Sequence, residues 1–356
     1  MIAKKETLSL PENTHELLKR YAPADTPFLP CLFDLETTGL SRVNSFLYLT
    51  GLVKYEAGKW YLYQEMAEAF EEEKTLLSGF FQALDPSSCL LSYNGEAFDL
   101  PFIRERAAFW HIPVPETILA GKGFPSLDLY RILKPAAAFF SLPNRKQVTL
   151  EQLLKLPARS CPDGKEGIRV YREFIKWKAL TKVLKDSSEV PEEHFSEKLL
   201  GHNREDLLGL AGITALLSLF QLKDEKARIL DAFVPPDPPD RLCLQAEYPL
   251  AFPEGLSGSF PFSGGTLAFS GRTARLCFFI QERGLRLYYP NYKDYEYIPG
   301  EDCAMPRTLS AFLDKSLKMP CRPETCYTWF PCNPAFLSSE NELGTFVLNY
   351  FRFLLS

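Results

Sequence analysis

Apolar positions divide the first 220 residues into short runs of strand character and longer runs of helical period. Residues 30–36 (PCLFDLE) read as a strand entering a turn at TTGL. Residues 45–55 and 59–66 are rich in aromatic and β-branched residues and flank Glu56-Ala57-Gly58, a hairpin signal. Together these runs predict a three-stranded antiparallel meander. Residues 70–84 have helical spacing with acidic residues in the first turn. Short strands are expected at 89–93 and 126–130, and a helix at 99–109 with Pro101 in its first turn. Helical periodicity returns at 149–155, 167–185 and 203–220, the last with a long apolar stripe.

A meander followed by alternating helices and strands predicts an α/β fold with a mixed sheet flanked by helices. The segment VPPDPPD (234–240) holds four prolines in seven residues and cannot continue a helix, so it reads as a stiff linker. The expected organisation is an N-terminal extension (1–27), the α/β domain (28–222), a helix end with a Pro-rich linker (223–240) and a smaller β-rich C-terminal domain (241–356). Within that last domain, aromatic and polar residues alternate between glycines over 241–300, and amphipathic stretches at 307–318 and 340–355 suggest helices.

Composition narrows the function. Hydrophobic residues at 46% and charged residues at 24% are ordinary for a globular chain with a sizeable core. No run of eighteen apolar residues and no apolar leader is visible, so neither a membrane span nor a signal peptide is expected. Nine scattered cysteines fit reduced thiols in a cytoplasm. The net charge of −5 argues against a broad phosphate-coating surface. It suits a site built from carboxylates, which takes its positive charge from bound metal.

Three features carry candidate chemistry. Asp34-Leu35-Glu36 puts two carboxylates on one face of a strand among apolar neighbours, a costly arrangement unless a cation binds; a bare pair of this kind is more often a solvated strand end. Tyr93-Asn94-Gly95-Glu96-Ala97-Phe98-Asp99 ends a strand and opens a helix, where an aspartate is also an ordinary N-cap. His202 and Asp206 share a helix face one turn apart, within a stretch that could equally be a polar helix start. Taken together, they supply the converging carboxylates that a two-metal phosphoryl displacement requires. Oxygen ligands favour Mg²⁺ or Mn²⁺ over zinc.

FDLETTGL resembles the first exonuclease motif of the DEDD superfamily of ribonuclease H-like 3′–5′ exonucleases. YNGEAFDLP resembles the second motif, and HNRED before an apolar helix the third, in the same order and spacing over about 28–220. The chain is most similar to the YprB-type ribonuclease H-like domains, whose third motif also reads HNxxD. The resemblance implies a ribonuclease H-like fold and hydrolysis at nucleic-acid 3′ ends, single-stranded or frayed. It makes Asp34, Glu36, Asp99 and Asp206 the ligands of two divalent cations, Mg²⁺ or Mn²⁺, and His202 the general base. It further implies that Thr37, Thr38 and Gly39 line the terminal nucleotide, with Asn94 nearby, and that Leu40 or Phe102 stacks on a base or belongs to the core. One departure stands out: His202 lies four residues before Asp206, where the proofreading type has histidine five before and the tyrosine type has tyrosine four before. A one-residue shift turns a side chain by about 100° around a helix. A structure-selective endonuclease and a non-catalytic nucleic-acid-binding module on the same fold are the alternatives.

Asp128 in SLDLYR is either a supporting group for the site or a solvent-facing strand residue. His15, His111 and His194 join no constellation. Cys303, Cys321, Cys326 and Cys332 lack CxxC spacing and sit among aromatic residues, which favours buried thiols over zinc. The C-terminal domain carries no readable motif; positioning substrate or binding a protein partner are its candidate roles.

Overall fold

The computed structural model describes residues 1–11, 13–21, 29–85, 88–115, 118, 126–160, 164–184 and 192–355. Two compact units result: 1–133 with 145–215, and 134–144 with 216–356.

The first unit is a six-stranded mixed sheet. Its strands are β1 (Ile2–Leu8), β2 (Leu29–Thr37), β3 (Leu47–Glu56), β4 (Lys59–Met66), β5 (Ser88–Ser92) and β6 (Ser126–Asp128), in the order β1-β4-β3-β2-β5-β6. The meander β2–β3–β4 is antiparallel, and β5 and β6 add in parallel beside β2. This is the ribonuclease H-like mixed sheet that the motifs implied. Residues 2–8 are no loose extension, since β1 pairs with β4 from Ile2↔Met66 to Leu8↔Trp60. Their run of exposed polar residues suits a strand at the sheet edge, which apolar periodicity alone overlooks.

Helices α1 (Thr14–Tyr21), α2 (Glu73–Ala83), α3 (Asp99–Phe109), α4 (Gln147–Leu153), α5 (Gly164–Leu184) and α6 (Glu192–Ile213) complete the unit. Leu76, Leu77 and Phe80 of α2 and Phe102 and Ile103 of α3 pack with Phe33 and Leu35 of β2 into one core. A second core joins Tyr48, Leu49 and Met66 to Val170, Tyr171 and Phe174 of α5 and Leu199 and Leu200 of α6. Strand β2 is thus central, which explains its nearly continuous apolar run.

The second unit holds a five-stranded antiparallel sheet in the order β7-β8-β11-β10-β9, built from β7 (Arg228–Phe233), β8 (Arg241–Glu247), β9 (Ser259–Phe262), β10 (Gly265–Ser270) and β11 (Thr273–Phe279). Two small sheets follow, β12 (Leu285–Tyr288) with β16 (Tyr327–Phe330), and β14 (Cys303–Pro306), β13 (Tyr295–Ile298) and β15 (Met319–Pro320). Helix α7 (Glu340–Leu354) packs Phe346, Tyr350 and Phe351 against Phe262 and Phe278.

Two expectations are corrected here. The Pro-rich 234–240 segment is not an interdomain linker: it connects β7 and β8, which pair as a hairpin from Arg228↔Glu247 to Phe233↔Cys243. Proline excludes helix, and a hairpin connection meets that constraint as well as a linker does. Residues 307–318 do not form one helix either. A single turn covers Arg307–Ser310, and the Asp314 side chain accepts the Ser316 N–H and opens a short 3-10 turn instead. Cys321 and Cys326 are buried free thiols that pack with Tyr289, Tyr295 and Tyr297.

Candidate active site

Strand β2 presents Asp34 and Glu36 on one face, as the two-residue period requires. The ladder to β3 slips between Glu36 and Thr37, whose partners are Leu49 and Leu47, so Tyr48 is the extra residue of a bulge. A bulge at this position re-aims neighbouring side chains, and Tyr48 stacks on Tyr171 of α5 at 4.0 Å.

Helix α6 lies across β2 and β3. His202 and Asp206 sit inside it, one turn apart, so the reading of this stretch as a helix start is corrected. His202 Nε2 lies 3.4 Å from Glu36 Oε1 and 3.3 Å from Asp206 Oδ2. Ligand atoms of Glu36, His202 and Asp206 all fall within 4.8 Å of one another, so these three could hold a cation. Between them on the helix, Asn203 is fully buried and donates from Nδ2 to Asp34 Oδ2 at 2.8 Å. Gln64 on β4 donates in turn to Asn203 Oδ1 at 2.9 Å and to the Leu200 carbonyl at 2.8 Å. Gly51, the ladder partner of Asp34, leaves the space: a methyl group there would overlap Asn203 Oδ1.

The second motif arrives on the turn after β5. Asn94 adopts φ +65°, and Asp99 is the first residue of α3, with Phe98 rather than Asp99 at the N-cap position, so the N-cap reading of Asp99 is corrected. The turn is held by Asp128, only 2% exposed, which accepts the N–H groups of Asn94 at 2.8 Å, Glu96 at 3.3 Å and Tyr130 at 3.0 Å. The solvent-facing reading of Asp128 is therefore corrected, and the residue orients the segment that carries Asp99.

Electrostatics unite the four carboxylates. Burial, then the charges of Asp206, Glu36 and Asp99, push the Asp34 carboxyl well above its ordinary range, against the Asn203 hydrogen bond. Burial, then Asp206 and Asp99, do the same to Glu36. Burial is the main cause that raises Asp99 to about 7. Two carboxylates 4 Å apart repel by roughly 4 kcal/mol at an effective dielectric of about 20. Protons or divalent cations relieve such a cluster, and its oxygen-rich donor set fits a hard cation.

The loop after β2 carries the other predicted residues. Thr37 Oγ1 donates to the Gly39 carbonyl at 2.9 Å, and Thr38 Oγ1 accepts the Phe46 N–H at 3.0 Å. Leu40 is 82% exposed, free to meet a ligand. Phe102 is fully buried in the core and cannot stack on a base, so that candidate is corrected. On a helix opened by Asp99, position 102 turns back toward the sheet.

Sequence reading missed the supports. Gln64 and Gly51 lie outside the motifs, and Asn203, although it is the asparagine of HNRED, is assigned no role by the motif reading. Arg159 was also missed: it is ion-paired to Asp206 and grips Glu151 of α4.

Residues 31–218, more than half of the chain, match the RNase_H superfamily. No curated protein matches the chain. Among solved structures it is similar to the family B DNA polymerase of the hyperthermophilic archaeon Pyrobaculum calidifontis, at 18% identity over 55% of this chain and 25% of that one, TM-score 0.40. It is also similar to E. coli exonuclease I in complex with a dT13 oligonucleotide, at 12% identity over 61% of this chain and 55% of that one, TM-score 0.32. The chain thus spans a quarter of the polymerase chain and about half of the exonuclease. By its matched residues, the chain belongs to the RNase_H superfamily.

Proposed function

We propose that the first unit is a divalent-cation-dependent nuclease, specifically a 3′–5′ exonuclease of the DEDD type that releases mononucleotides from nucleic-acid 3′ ends. The observation that carries this reading is the convergence of four mutually repelling carboxylates with an imidazole between two of them. Membership of the RNase_H superfamily and the three motifs in order, similar to the YprB-type domains, support it.

Asp34, Glu36, Asp99 and Asp206 would hold two cations, Mg²⁺ or Mn²⁺, which supply charge neutralisation at the phosphoryl oxygens and a more acidic water. Asn203 fixes the rotamer of Asp34 through its hydrogen bond, so the carboxylate is preorganised. His202 takes a proton at Nε2 from the attacking water, the role of a general base. Its 3.4 and 3.3 Å separations from Glu36 and Asp206 support this despite the four-residue spacing. Exposed Leu40, on the loop that leaves β2, stacks against the terminal base and limits the site to chain ends.

A 5′-labelled single-stranded oligonucleotide, with a free or a blocked 3′ end, tests the reading in Mg²⁺, in Mn²⁺ and in excess chelator. The expected result is a ladder shortening from the free 3′ end, arrest at the blocked end and silence in chelator. Full activity in chelator overturns the metal requirement. Internal cuts in the blocked substrate reassign the site to an endonuclease, and binding without cleavage reassigns it to a binding module.

A further inference from the structure

Arg159 reaches Asp206 from a segment that no motif covers. Its Nε donates to Glu151 Oε2 at 2.9 Å and its Nη2 to Glu151 Oε1 at 2.6 Å, a bidentate pair. Glu151 is only 4% exposed and also accepts Gln147 Nε2 at 2.9 Å. Gln147 Nε2 donates as well to the Asp206 carbonyl at 2.8 Å. Gly209 on α6 admits this carboxylate, because a methyl group there would overlap Glu151 Oε1. Two of the three guanidinium nitrogens are therefore fixed, and their charge is balanced, by a carboxylate outside the acidic centre.

The third nitrogen, Nη1, bonds Asp206 Oδ1, while Asp206 Oδ2 faces His202. Asp206 is shared between a positive side chain and the centre that would bind cations. If Arg159 served only to steady Asp206, its charge would compete with a cation for the same carboxylate. Once Asp206 is engaged by a cation, Nη1 loses its acceptor while Glu151 still holds the rest of the fork. Two N–H bonds then face the centre at a fixed position, and a phosphate oxygen is the acceptor that chemistry supplies. The guanidinium is nonetheless open to solvent: it is 23% exposed and borders an open cavity of about 330 Å³ with Pro157, Ala158 and Leu208.

We infer that Arg159 is a substrate-binding residue, a phosphate clamp held by Glu151 and parked on Asp206 until the centre is loaded. The inference rests on the nuclease reading above and adds to it a named contact for the substrate phosphate.

The test uses the full chain, with Arg159→Gln and Arg159→Lys. Mn²⁺ binding to free protein is measured by electron paramagnetic resonance. Thymidine 5′-monophosphate binding at saturating Mn²⁺ is measured by calorimetry. Arg159→Gln should bind Mn²⁺ at least as tightly as wild type, because a competing cation has gone. It should bind the nucleotide about tenfold more weakly or worse, the value of one charge-assisted hydrogen bond. On an oligonucleotide the loss should fall on KM before kcat. Arg159→Lys, which keeps the charge and loses the fork, should show the same signs at smaller size, and carries the test if the Gln variant does not fold. Weaker Mn²⁺ binding with unchanged nucleotide affinity would make Arg159 a mere support of Asp206 and overturn the clamp. Wild-type protein that binds neither Mn²⁺ nor nucleotide would instead bring down the nuclease reading, and the clamp with it.

Discussion

Two acidic regions of the first unit, one fully buried and one part-buried, are built on opposite principles. Glu73, in the first turn of α2, is fully buried. It accepts Arg106 Nε at 2.8 Å and Nη2 at 2.6 Å, Trp110 Nε1 at 2.7 Å and the Leu47 N–H at 2.7 Å. Each oxygen is satisfied and the charge is cancelled, so the group ties α2 and α3 to the start of β3. The cluster of Asp34, Glu36, Asp99 and Asp206 is the reverse. Beyond burial, the charges of Asp206 and Asp99 raise the proton affinity of Asp34 and Glu36, Asp34 is held by the neutral Asn203 amide, and Asp206 shares Arg159 with Glu151. Burial alone therefore does not mark a functional carboxylate. What separates the two regions is whether the charge is balanced by the protein itself.

The sharpest way to break that comparison is to delete one carboxylate from each region. Asp34→Ala should abolish hydrolysis and leave the metal-free fold as stable as wild type or more so, because it removes a repelling charge. Glu73→Ala should do the opposite. It strands Arg106 in the interior and costs about 3–5 kcal/mol of stability, read by chemical denaturation, with activity per folded molecule kept. If both substitutions destabilise alike, the distinction drawn between the regions is wrong.

A smaller effect sharpens the role of the imidazole. His202→Ala should lower the rate by about 10²–10⁴-fold, as loss of a general base does, with little change in Mn²⁺ affinity measured directly. A fall in Mn²⁺ affinity as large as the fall in rate would make His202 a ligand rather than a base.

The smallest effect is on pH. Asp99 titrates near 7 in the folded protein, and Asp34 and Glu36 are also raised, against unfolded values of about 3.9 for Asp and 4.3 for Glu. Between about 4 and about 7 Asp99 keeps a proton in the folded chain that it has lost in the unfolded one, and Asp34 and Glu36 act in the same direction, so stability falls as pH rises through that window. Metal-free wild type should melt a few degrees lower at pH 8 than at pH 5.5, and Asp99→Asn should lose less over that span. Saturating Mn²⁺ should flatten the slope. An equal slope in Asp99→Asn would show that its carboxyl is not among the groups responsible.

How much was legible differs between elements. The meander, helices α2 and α3 and the two DxE carboxylates follow from local rules of period and spacing, which act over a few residues. The Pro-rich 234–240 segment shows where such rules stop. Proline forbids helix in either setting, and only the pairing of β7 with β8 makes the segment a hairpin connection. Phe102 shows it again, because an aromatic residue on a helix suits a base or a core equally until the sheet is in place.

The sequence by itself determined which residues carry charge and which faces of β2 and α6 they occupy, because the two-residue and 3.6-residue periods dictate that locally. Only the tertiary structure decided which of those charges are balanced. Gln64, Asn203 and Asp34 are joined across 139 and 169 residues of chain, and Arg159 meets Asp206 across 47. Such contacts form when packing brings distant segments together, and no local period encodes them. The same packing gives Glu73 a cation and, among the described residues, gives Asp34 none, and that difference separates a structural carboxylate from a candidate metal ligand.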